Sequence, residues 1–82
     1  MKTAKVSKRS RKQPKIIRDP QILGGKPVIA GTRIPVRLIF DHLAEGYMPE
    51  EIILEYPMLT RADIQAAMRY ASRAVEKIEN GK

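Results

Sequence analysis

Gly24-Gly25-Lys26-Pro27-Val28-Ile29-Ala30-Gly31-Thr32-Arg33-Ile34-Pro35-Val36 is the stretch that decides how this chain folds. It holds three glycines, two prolines and four branched apolar residues. Glycine admits left-handed backbone and close chain approach, while proline fixes φ and removes a donor. Interleaved with Val28, Ile29 and Ile34, these residues describe two very short extended pieces around tight turns. A flexible linker would carry serine and charge in place of valine and isoleucine. The stretch is therefore an ordered element.

On its N-terminal side, Ile16-Ile17-Arg18 reads as a short strand closed by the turn pair Asp19-Pro20. The glycine/proline element can pair with Ile16-Ile17 or fold on itself as a small hairpin, and the sequence leaves both open. On its C-terminal side everything reads as helix. Pro35 suits a helix start near Val36 and pushes Ile34 into extended geometry. Val36, Ile39, Phe40 and Leu43 form one apolar stripe at helical spacing, and Gly46 supplies a left-handed stop. A second, short helix is expected from Pro49 to about Glu55, with Glu50 and Glu51 on the positive end of its dipole and Ile52 and Ile53 inward. Tyr56-Pro57 ends it. Thr60 and Asp63 have capping-box spacing ahead of a third helix. In that helix Ile64, Ala67, Met68, Ala71, Val75 and Ile78 recur at three and four residues, and its last two turns are expected to project beyond the core.

The fold class that follows is mainly α. It is a tri-helical helix-turn-helix domain over residues 16–80, preceded by a short β-hairpin or strand pair and by a disordered basic arm, residues 1–15. Charge is divided in the same way. Residues 1–18 hold eight bases and no acid, whereas residues 19–82 hold eight bases against nine acids. A basic block of that kind attracts polyanions. Within it Lys8, Arg9, Arg11 and Lys12 form the densest cluster, which also has the look of a nuclear-localisation patch. A presequence would need an amphipathic helix, and the arm has almost no apolar material beside Val6 and Ala4.

The chain has no cysteine, which excludes disulfides and thiolate metal sites. Its apolar runs are too short for a signal or membrane span, so a cytoplasmic, membrane-free protein is expected. Without the arm, a core this small is marginal alone. Self-association as a homodimer, or a permanent protein partner, is expected.

Candidate contact residues lie on the outer face of the third helix. Arg61, Gln65, Arg69 and Arg73 follow each other at four-residue steps and make a slanting band beside the apolar stripe. Arginine reads guanine, glutamine reads adenine, and both bind phosphate. The alternative is a solvated face. Against DNA docking, the second helix carries Glu50, Glu51 and Glu55 and no base. Gly25, Gly31, Thr32 and Arg33 form a turn that positions the first helix and presents a guanidinium to a partner or anion, or to a salt bridge with Asp19 or Asp41. His42 is the only histidine, and Asp41 beside it points elsewhere on a helix. No set of acids, histidine or cysteine supplies metal ligands or a nucleophile and base, so the expectation is a non-enzyme without metal or cofactor.

Asp19-Pro20, the string from Gly24 to Val36, Leu43-Ala44-Glu45-Gly46, Pro49-Glu50-Glu51-Ile52, Tyr56-Pro57-x-Leu59-Thr60 and Asp63-Ile64-x-Ala66-Ala67 together resemble the domain of unknown function 433 family. The resemblance covers about residues 16 to 75. It implies a homeodomain-like helix-turn-helix in a prokaryotic toxin–antitoxin pair of the VapB type. The implied function is an antitoxin that neutralises a PIN-like nuclease toxin and binds operator DNA; the alternative is a protein-interaction module without DNA binding. Two features depart from the pattern. Met48 stands where a small polar cap is usual, and the basic arm lies outside the shared region.

Overall fold

The computed structural model describes residues 14–81. Lys8, Arg9, Arg11 and Lys12 lie outside the described residues, as does most of the arm. Strand β1 is Ile16–Ile17, strand β2 is Val28–Ile29, and the helices are α1 (Val36–Ala44), α2 (Pro49–Glu55) and α3 (Arg61–Gly81). A single 3-10 turn, Leu23–Gly25, lies between the strands.

Both pairings that the sequence left open occur. β2 pairs antiparallel with β1, Ile16 opposite Ile29 and Ile17 opposite Val28. On its other edge β2 bonds to the chain leading into α1: Ile29 N–H donates to Ile34 at 3.0 Å, Val36 N–H donates to Pro27 at 2.9 Å, and Val28 bridges Pro35. A two-residue strand is thus flanked on both sides, which is why Val28 and Ile29 are fully buried. The reversal between β2 and Ile34 runs through Gly31 at φ 85°, a conformation that costs a side-chain-bearing residue about 1–2 kcal/mol. Thr32 fixes the turn. Its hydroxyl donates to the Ile29 carbonyl at 2.8 Å and accepts from Ile34 N–H at 3.0 Å.

The three helices pack on this turn. Ile29, Ile34, Val36, Ile39, Ile52, Leu59, Ile64 and Ala67 form the buried core, edged by half-buried Ile16, Leu38, Phe40, Leu43, Ile53, Tyr56 and Tyr70. α1 ends as its glycine requires, with Gly46 at φ 96° and its N–H on the Leu43 carbonyl at 3.0 Å. α2 starts without a polar side chain at Met48. Glu51 substitutes by accepting the Met48 N–H at 2.7 Å. At α3 the capping box closes reciprocally: Asp63 N–H donates to the Thr60 hydroxyl at 3.1 Å, and Thr60 N–H donates to the Asp63 carboxylate at 3.0 Å.

The apolar stripe of α3 divides in two. Ile64 and Ala67 are buried, while Met68, Val75 and Ile78 are 46%, 52% and 75% exposed. The second half of α3 leaves the core, as expected from its length. Met68 differs from its neighbours because four-residue steps carry it round toward the solvent side of the helix.

Candidate functional site

Arg61, Gln65, Arg69 and Arg73 are all exposed and run along the side of α3 away from the buried stripe. They do not share one environment. The Arg61 guanidinium is engaged by the Glu50 carboxylate of α2 in a direct ion pair. Glu50's own backbone N–H and then the Arg61 guanidinium hold that carboxyl below its ordinary range. The pair ties α2 to α3 at the start of the band and removes one of its four members from open presentation.

Arg69 and Arg73 stand elsewhere. With Lys15, Ile16, Pro14, Ala66 and Tyr70 they line a cleft of about 320 Å³ between α3 and the chain entering β1. Backbone pairing places Lys15 there, since its carbonyl accepts Ala30 N–H at 2.9 Å and so extends the β1–β2 ladder. The cleft therefore gathers three cations and an aromatic ring. It also sits where the basic arm joins the folded domain.

The glycine-rich turn presents Arg33 to solvent. Among the described residues Arg33 forms no ion pair with Asp19 or Asp41. Asp19 accepts Gln21 N–H at 2.9 Å, and Asp41 meets Arg37 at 3.6 Å. Gly25 lies in the 3-10 turn, where its carbonyl accepts Arg18 Nε–H at 3.2 Å.

One cluster was not anticipated. His42 reaches from α1 to α2: Nδ1 lies 2.9 Å from the Leu38 carbonyl and Nε2 lies 3.1 Å from Glu55 Oε1. Tyr47 and Tyr56 meet the ring edge-on at 4.9 and 5.6 Å. Both ring nitrogens face acceptors, an arrangement that only the imidazolium satisfies with two donors. The Leu38 carbonyl and then Glu55 accordingly raise the histidine above its ordinary 6.5. The signal available in sequence is the placement of His42 and Glu55 on successive helices, and it can be read only once the turn at Gly46 is in place. Among the described residues no three histidine, acidic or cysteine side chains are grouped to hold a metal, and no helix is long and apolar enough to cross a membrane.

A family model described as a protein of unknown function (DUF433) matches residues 16–71, from the first residue of β1 to the point where α3 leaves the core. The chain belongs to the DUF433 family. A crystal structure of a DUF433 member protein from Anabaena variabilis superposes on this DUF433 chain with a TM-score of 0.72. The two are 32% identical, and the match covers 89% of this chain and 71% of the other. The uncharacterized protein y4eO of Sinorhizobium fredii is 40% identical over 52 residues, which are 63% of this chain. This DUF433 chain spans only about a quarter of that relative, 24% of its length.

Proposed function

We propose that this DUF433 chain is a non-enzymatic nucleic-acid-binding module that serves as the antitoxin of a type II pair, masking a PIN-like nuclease and binding its own operator. The observation that carries the DNA half is the cleft in which Lys15, Arg69 and Arg73 meet at the root of the basic arm. The eight bases before residue 19 lead in sequence to Lys15, which lines the cleft together with the Arg69 and Arg73 guanidinium groups. Gln65 lies one step further along the same band, at the place where a recognition helix meets base edges. The antitoxin half rests on the family resemblance and on a small core of the kind that association with a partner stabilises.

A salt titration by fluorescence anisotropy, with duplex from the region upstream of the gene, tests the proposal. Each neutralised phosphate contributes about −0.9 to the slope of log affinity against log salt. Arg69→Ala should weaken binding by about 1–3 kcal/mol if the side chain reads a base. Absence of binding at low salt, with or without the nuclease, removes the operator claim. The antitoxin half fails separately if the purified chain leaves the neighbouring PIN-like nuclease fully active.

A second reading, a protein-interaction module without DNA binding, is favoured by α2. Its exposed face carries Glu50, Glu51 and Glu55, and Glu50 already occupies Arg61. Under this reading the nuclease is still bound, and the anisotropy titration stays flat.

A further inference from the structure

The cleft between α3 and the chain entering β1 has a floor and a rim of different chemistry. Ala66 is buried and Ile16 and Tyr70 are half-buried, whereas Lys15, Arg69 and Arg73 are exposed. The apolar groups therefore lie deep and the cations stand at the mouth. Spacing on α3 accounts for this. Ala66, Arg69, Tyr70 and Arg73 recur at i, i+3, i+4 and i+7, which is one face of a helix. Tyr70 is also packed against the core cluster, which holds its ring at the cleft. Among the described residues no acid lines the cleft, and none of its three cations has an ion-pair partner. Glu76, three residues beyond Arg73, is not paired with it. Asp63, three residues before Ala66, is buried and accepts the Thr60 N–H. The volume of about 320 Å³ holds roughly ten waters, which is the lower end of the size of small-ligand pockets.

We propose that the cleft takes one unpaired nucleotide of a single strand, its base against the Tyr70 ring and its phosphates on Arg69, Arg73 and Lys15. This rests on the reading of the cleft as a nucleic-acid contact and adds the form of the strand. A bare anion would use the rim and leave the apolar floor wet. A nucleotide matches both layers, with a planar ring for the floor and phosphate for the rim. Base pairing decides between duplex and single strand. In a duplex each base is stacked between its neighbours and only its edge is open to the grooves, so a duplex meets the rim cations alone. An unpaired base offers its face, which an aromatic side chain stacks regardless of sequence. A strand is favoured over a free nucleotide because six further bases precede Lys15 in the chain, and only a polymer brings phosphates for them to neutralise.

Fluorescence anisotropy of the full chain tests this with three DNA probes at one salt concentration. They are a blunt duplex, the same duplex with a short unpaired overhang, and the same duplex with an abasic overhang of equal charge. The natural overhang should bind at least about fivefold more tightly than the abasic one. Tyr70→Leu should erase that difference and Tyr70→Phe should keep it, with circular dichroism as the check on folding. NMR titration of the wild type is the second measurement and needs no variant. The Tyr70 ring resonances should move with the natural overhang and stay in place with the abasic one. Equal affinity for the two overhangs overturns the proposal, as does a difference that survives Tyr70→Leu. A Tyr70 response to adenosine monophosphate but not to the overhang assigns the cleft to a free nucleotide and overturns it likewise. The operator reading is separable: it fails if the blunt duplex goes unbound at low salt, while the comparison of the two overhangs still decides the strand.

Discussion

Replacing Ile64 by alanine tests the division of α3 most directly. Ile64 is 1% exposed and packs in the cluster built from Ile29, Ile39, Ile52 and Leu59. The substitution removes three buried carbons, worth roughly 2.4 kcal/mol at about 0.8 kcal/mol each. The cavity left behind raises the expected loss to about 2–5 kcal/mol. For a domain of roughly 65 residues the whole folding free energy is only about 3–10 kcal/mol. The variant should therefore lose at least about 10 °C in melting midpoint. Ile78→Ala is the matched comparison: the same chemistry on the same helical face, at a side chain 75% exposed. Measured by urea unfolding at about 1 μM, where association is weakest, it should cost less than about 0.5 kcal/mol. If the two substitutions cost the same, the core does not end where the packing places its limit. If Ile64→Ala costs less than about 1 kcal/mol, the buried face of α3 has been misassigned.

Further tests concern the termini of the helices and the histidine. Thr60→Ala should cost about 1 kcal/mol by denaturant unfolding, because it leaves the Asp63 N–H without the hydroxyl that caps it. Gly46→Ala should cost about 1–2 kcal/mol from backbone conformation alone, since a Cβ built there has nothing within 4 Å to strike. An NMR titration of His42 should give a pKa above 6.5, with the Leu38 carbonyl and then Glu55 as causes. The folded chain holds that proton more tightly than the unfolded one. The stabilisation is complete below pH 6.5 and is lost as pH rises through the folded value. Glu55→Gln should lower the midpoint only partly, because the larger cause, the Leu38 carbonyl, remains; an unmoved midpoint would remove Glu55 from the account.

The helices were legible because local rules and packing agree along them. Proline before Val36 and at position 49, glycine at 46 and the Thr60–Asp63 box all mark boundaries that hydrogen bonds then realise. The topology around β2 was less legible. Two-residue strands carry almost no periodicity, and only the finished turn shows that Val28 and Ile29 are clasped on both edges. The band on α3 was read from its spacing, yet spacing alone could not separate Arg61, held by Glu50, from Arg69 and Arg73, which look into the cleft. That difference depends on which helix lies alongside, a tertiary fact. His42 is hard to read from sequence for the same reason. Its partner Glu55 lies thirteen residues away and meets it only across the α1–α2 corner.

The twenty-one residues of α3 form one unbroken rod of about 31 Å, clamped at the Thr60 end and exposed from Ser72 to Gly81. Such a rod works as a lever. Anything that grips its tip near Ile78 applies torque to the pivot at Ile64, inside the core to which β2, α1 and α2 also contribute. Amide exchange should therefore slow along the whole helix, and not only locally, when the tip is held.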